Sequence, residues 1–126
     1  MIYAIDSSGS TSGFVMMEMV NFVKKQADAT KVLFFDTAVL KVLDAKTFSY
    51  KDAIGRGGTM IQPVFDWMRD NAPGEDLAII SDGYWFERDL QTHGVRAACY
   101  LTSNAAQAHI ETANLKAFAH IADMPQ

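Results

Sequence analysis

The segment MIYAIDSSGS, residues 1–10, sets the order of elements at the start of the chain. Five largely apolar residues precede Asp6, and such a short continuous run is typical of a buried strand. Residues 7–13 are rich in Ser, Gly and Thr and predict a loop. From Phe14 to about Ala27 the apolar residues recur with a helical period. A strand, a loop and an amphipathic helix in this order predict the first unit of an α/β fold.

Apolar runs alternate with loops and helical patterns along the rest of the chain. Further strands are predicted at 31–36, 39–43, 76–81 and 94–101, and further helices at 60–71 and 104–114. The segment 115–121 fits either a strand or a helix. The second and third strands are too close in sequence for a crossover helix, so they must form an antiparallel hairpin.

Continuous apolar strands separated by amphipathic helices indicate a mostly parallel sheet that is covered on both faces. A length of 126 residues suits one domain. We therefore expect a single α/β domain over residues 1–126. Its architecture is expected to be a three-layer αβα Rossmann-like sandwich with one antiparallel edge strand.

Composition narrows the function classes. The net charge of −4 argues against a nucleic-acid binder, because such proteins usually carry a basic face. Cys99 is the single cysteine, which excludes an intramolecular disulfide, and its apolar surroundings predict a buried side chain. No apolar run approaches the ~18 residues of a membrane span, and the N-terminus lacks the basic leader of a signal peptide. We expect a cytoplasmic protein of a bacterium or a phage-infected host cell, with no membrane partner.

Small oxygen-bearing side chains are expected at the carboxyl edge of the sheet, where open parallel sheets bind ligands. Asp6 ends the first strand, with Ser8 and Ser10 following at alternate positions. Thr59 ends a glycine-rich loop, and Asp82 follows the fourth apolar strand. Two carboxylates brought together repel each other, and a hard divalent cation removes that repulsion. These five side chains are therefore a candidate site for Mg²⁺, with Mn²⁺ or Ca²⁺ as alternatives.

The pattern Asp6-x-Ser8-x-Ser10, a threonine after two glycines, and Asp82-Gly83 resembles the metal-ion-dependent adhesion site (MIDAS) of von Willebrand factor A (VWA) domains. The resemblance spans about residues 1–101, includes the hairpin after the first helix, and is greatest to compact bacterial and phage members. It implies that Ser8 and Ser10 ligate the metal directly and that Thr59 does so directly or through water. The two aspartates would hold coordinated waters and orient the hydroxyls.

The resemblance implies a protein–protein interaction module and not an enzyme. In VWA domains an acidic side chain of a partner fills the open position on the metal, and compact members often work beside MoxR-type AAA+ ATPases. Tyr84 and Trp85 follow Asp82 and are candidates for a partner-binding rim, because Tyr and Trp concentrate binding energy. Their alternative role is to pack as core beneath the loop. Arg56 is a candidate for steering an acidic partner, and its alternative is a solvated loop charge.

Two other function classes stay open at this point. A metal-dependent phosphatase-like hydrolase would also use an aspartate at the end of the first strand. Haloacid dehalogenase-type phosphatases, however, need a second aspartate two residues on, where this chain has Ser8. The sequence contains neither a nucleophile elbow nor the lysine of a P-loop. The other alternative is a degenerate VWA scaffold without metal, which Mg²⁺ would not stabilise against heat.

Overall fold

The computed structural model describes residues 1–7, 13–53, 55, 57–83, 85, 87, 89–102 and 119–121. The predicted helix at 104–114 lies outside these ranges. The described elements are β1 (Ile2–Asp6), α1 (Gly13–Lys24), β2 (Lys31–Phe35), β3 (Val39–Asp44), a 3-10 turn (Tyr50–Asp52), α2 (Gln62–Asn71), β4 (Leu77–Ser81), β5 (Ala97–Leu101) and β6 (Ala119–His120). Neither α1 nor α2 has the length and apolar character that crossing a membrane requires.

The strands form one six-stranded sheet in the order β3-β2-β1-β4-β5-β6. All neighbouring pairs are parallel except β2 and β3, which are antiparallel. This confirms the predicted α/β class, the mostly parallel sheet and the antiparallel edge strand. Strands β2 and β3 lie on one side of β1, and β4, β5 and β6 lie on its other side. The boundary between β1 and β4 is therefore a topological switch point, where open α/β sheets bind ligands.

The central strands are buried over nearly their whole length. All five residues of β1 and all five of β4 are buried, as are four of the five in β2. Continuous apolar runs predict this, because a parallel strand covered on both faces has no solvent-facing side. The edge strand β3 differs, since its residues alternate between exposed and half-buried.

Alternate residues of β1 belong to two separate apolar cores. Ile2 and Ala4 pack in one cluster with the apolar side chains of α2. Tyr3 and Ile5 pack in the other with those of α1. Since successive side chains of a strand point to opposite faces, Asp6 continues the series on the α2 side. The sheet thus presents the Asp6 side chain at its carboxyl edge, on the face that α2 covers.

Candidate metal centre

Asp6 and Asp82 lie at the carboxyl ends of adjacent parallel strands. Asp6 is the last residue of β1, and Asp82 directly follows β4. The register pairs Ile5 with Ile80, which places Asp6 beside Ser81. Both aspartates are fully buried, with 0% of their surface exposed. The structure therefore brings two of the predicted site residues together, at the switch point of the sheet.

Ser81 links the two aspartate-bearing segments. Its Oγ donates a hydrogen bond to Oδ2 of Asp6 at 2.6 Å, a length typical of a hydroxyl on a carboxylate. The same Oγ accepts the backbone N–H of Gly83 at 3.0 Å. Ser81 was not among the predicted site residues. Its position in the sequence could have indicated this role. Ser81 is the last residue of β4, as Asp6 is of β1, and the two side chains therefore lie on the same face of the sheet.

Asp36 holds the glycine-rich loop against this edge. It follows β2 and is 8% exposed, and its Oδ2 accepts the N–H of Gly57 at 3.3 Å. Its backbone carbonyl accepts the N–H of Met60 at 2.8 Å. These two contacts bracket Thr59, which is half-buried. Asp36 therefore places the predicted threonine ligand at the same edge as the two aspartates.

Trp85 occupies the core and not an exposed rim. Its side chain is 0% exposed and belongs to the cluster on the α2 side of the sheet. The predicted partner-binding role of Trp85 is corrected accordingly, since the ring offers no surface to a partner. The large apolar ring is buried in the core, which was the alternative role predicted for Trp85.

Four other predicted site residues lie outside the described ranges: Ser8, Ser10, Arg56 and Tyr84. Their roles as metal ligands or partner contacts stay predictions.

The donor set favours a hard cation. Asp6, Asp82 and Thr59 offer only oxygen atoms, the ligands that Mg²⁺ and Ca²⁺ prefer. The Cys99 thiol is buried nearby, and burial together with the charge of Asp6 raises its pKa to about 12. Among the described residues, no three His, Cys, Asp or Glu side chains form a group suited to a metal ion. The predicted site differs from such a group, because it combines hydroxyl oxygens with the two carboxylates.

The loop after β4 is bonded to the start of α2 through Glu87. One carboxylate oxygen of Glu87 accepts the backbone N–H of Ile61, and the other accepts that of Gln62 at 3.0 Å. Sequence analysis did not identify Glu87. The available signal was the start of α2, where the N-cap residue, Ile61, makes no capping hydrogen bond with its side chain. The first N–H groups of a helix need acceptors, so a distant residue had to supply them.

Further contacts hold the same loop along α2. The Gln62 side chain donates to the backbone carbonyl of Gln91 at 3.0 Å and accepts its N–H at 2.9 Å. One turn later, Oδ1 of Asp66 lies 2.8 Å from Nε2 of His93. The Gln62 side chain also donates to Oδ1 of Asp66 at 2.9 Å. The hydrogen bonds from His93 and Gln62 lower the pKa of the Asp66 carboxyl. The loop that begins at Asp82 is thus hydrogen-bonded to α2 at three levels, through Glu87, Gln91 and His93 in chain order.

Comparison with known proteins finds no family model that matches this chain and no curated protein similar to it. The VWA resemblance therefore depends on the sequence pattern described above.

Proposed function

We propose that this chain is a VWA-like domain, a three-layer αβα sandwich, that binds a divalent cation at the carboxyl edge of its sheet. Through that cation it binds an acidic side chain of a protein partner. The observation that carries the proposal is the pair of fully buried aspartates, Asp6 and Asp82, at the ends of adjacent parallel strands. Mg²⁺ is the proposed ion, with Mn²⁺ or Ca²⁺ as alternatives.

Electrostatics favours a cation at this place. Removing a carboxylate from water costs several kcal/mol unless an opposite charge or donors compensate it. Two carboxylates at one edge also repel each other. Asp6 already receives the Ser81 hydroxyl, which fixes the direction of one oxygen. Asp6 and Asp82 would hold the ion through water, with Thr59, Ser8 and Ser10 supplying hydroxyl oxygens.

Few carboxylates touch an ion held in this way, so the ion stays electrophilic. When bound, it would supply a coordination position for the carboxylate of another molecule. Arg56 and Tyr84 are proposed to contact that molecule, Arg56 through its positive charge. The VWA resemblance makes a MoxR-type AAA+ ATPase the proposed class of partner.

Two exposed apolar side chains lie close in sequence to segments of the proposed site. Phe14, in the first turn of α1, is 80% exposed, and α1 begins seven residues after the last residue of β1. Met60, the residue after Thr59, is 43% exposed. A partner that presents an acidic residue among apolar ones would match this edge.

A chelator-controlled capture experiment with a matched threonine pair tests this function. Thr59→Ala removes a proposed ligand, whereas Thr47→Ala removes an exposed threonine at the opposite end of the sheet. We expect immobilised wild type and Thr47→Ala to retain the same protein in Mg²⁺ and to release it in EDTA. Thr59→Ala should retain at least tenfold less. Retention that is indifferent to both EDTA and Thr59→Ala would rule out metal-mediated recognition.

A further inference from the structure

We propose that Glu87 is a positioning residue of the metal site, setting the distance between the Asp82 segment and the Thr59 segment. This inference rests on the proposed function. Glu87 lies five residues after Asp82, and the N–H groups it accepts belong to Ile61 and Gln62, directly after the Thr59 loop.

The Glu87 contact is directional. Each of its two carboxylate oxygens accepts a different backbone N–H, so the carboxylate cannot rotate without losing a bond. Hydrogen bonds from backbone N–H groups to a carboxylate are stronger than neutral ones, and the helix dipole favours a negative charge at this end. Because α2 has no side-chain cap of its own, Glu87 also determines where the helix begins. Thr59 lies three residues before Gln62, so the start of the helix in turn determines the position of Thr59.

The two other levels of the loop–helix contact lie farther from the site. Gln62 bonds the backbone of Gln91, and Asp66 bonds His93 one helical turn later. With these in place, loss of Glu87 leaves the loop attached to α2 but loosens the end nearest to Asp82. The expected consequence is a weaker metal site in a protein that still folds.

The test compares Glu87→Gln with Asp66→Ala. Glu87→Gln keeps the size of the side chain but leaves it only one acceptor oxygen for two N–H donors. Asp66→Ala also removes a carboxylate that joins the loop to α2, the partner of His93, at the level farthest from Asp82. Isothermal titration with MgCl₂ measures affinity in each variant after chelator treatment. Urea unfolding in EDTA measures the stability of the metal-free proteins.

We expect Glu87→Gln to bind Mg²⁺ at least tenfold more weakly than wild type, the size usual for residues that orient metal ligands. Asp66→Ala should keep wild-type affinity even if its metal-free stability falls as much. Wild-type affinity in Glu87→Gln, or equal weakening in Asp66→Ala, would overturn the positioning role while leaving the proposed function intact. Absence of Mg²⁺ binding by wild type would overturn the proposed function, and the inference with it.

Discussion

At the scale of single residues, Cys99 shows how burial and a nearby charge change the pKa of a side chain. Its thiol is 1% exposed in the cluster on the α2 side of the sheet. Burial, and to a smaller extent the charge of Asp6, raise its pKa from the ordinary 9.0 to about 12. The predicted burial of Cys99 is confirmed.

A raised thiol pKa predicts low reactivity in the native state. Three pKa units reduce the thiolate fraction about a thousandfold, and burial restricts access further. We expect native Cys99 to resist iodoacetamide at pH 8.5 and to react fully in urea, as measured by intact mass. Because unfolding releases this proton, the contribution of the thiol to stability is complete below pH 9 and is lost as pH rises toward 12. Rapid native-state labelling would contradict the burial.

A single site residue was predictable only where a side chain able to bind a ligand follows directly on a predicted strand. Asp6 and Asp82 each end an apolar run, which predicts a carboxylate at a strand end. Trp85 was open to two roles, because an aromatic residue after a strand suits a rim as well as a core. Glu87 acts through two backbone N–H groups 25 and 26 residues away, and no local pattern indicates such a contact.

At the scale of elements, the hairpin and the strands were predictable, and their ends were less so. Strand β5 begins at Ala97, not at Gly94, because His93 and Gly94 both have positive φ angles and form a turn. Helix α2 begins at Gln62, not at Met60, and Ile61 is its N-cap residue. Apolar periodicity alone does not locate either boundary. The undecided segment 115–121 contains a two-residue strand, β6.

The glycine-rich loop should tolerate a side chain at one position and not at another. Gly55 has φ +116, and a Cβ there would lie 3.0 Å from Oδ2 of Asp36 and 2.6 Å from Leu40. Leu40 can turn aside, but Asp36 is held by the loop it supports. Gly55→Ala should therefore lower the free energy of unfolding by about 2–4 kcal/mol, combining backbone strain with overpacking.

Two controls separate these effects in urea unfolding. Gly58→Ala meets only an ordinary contact at 3.7 Å and should change stability by less than about 0.5 kcal/mol. Gly74→Ala has a positive φ with open space around it, so it measures the strain alone. Equal losses for Gly55→Ala and Gly74→Ala would show that the close approach to Asp36 does not matter.

At the scale of the whole molecule, the strand order could not be derived from local sequence. The β1–β4 pairing joins residues about 75 positions apart, and it is this pairing that brings Asp6 beside Ser81. The sequence predicted the common edge only through the general rule that parallel strands share a carboxyl side. VWA membership, the metal, the partner and the cytoplasmic location stay predictions, since each depends on more than the fold.

The measurement that tests the central claim most directly is thermal unfolding in MgCl₂ and in EDTA, for wild type, Asp6→Asn, Asp82→Asn and a surface control. Asp70→Asn serves as the control, because Asp70 is exposed and paired only with its neighbour Arg69 at 2.8 Å among the described residues. At an Mg²⁺ concentration about a hundredfold above the dissociation constant, binding stabilises the native state by about 2.7 kcal/mol. Wild type and Asp70→Asn should therefore gain several degrees in Tm, and the two buried-aspartate variants should gain none. An unchanged wild-type Tm, or the same gain in all four proteins, would contradict a metal site formed by Asp6 and Asp82.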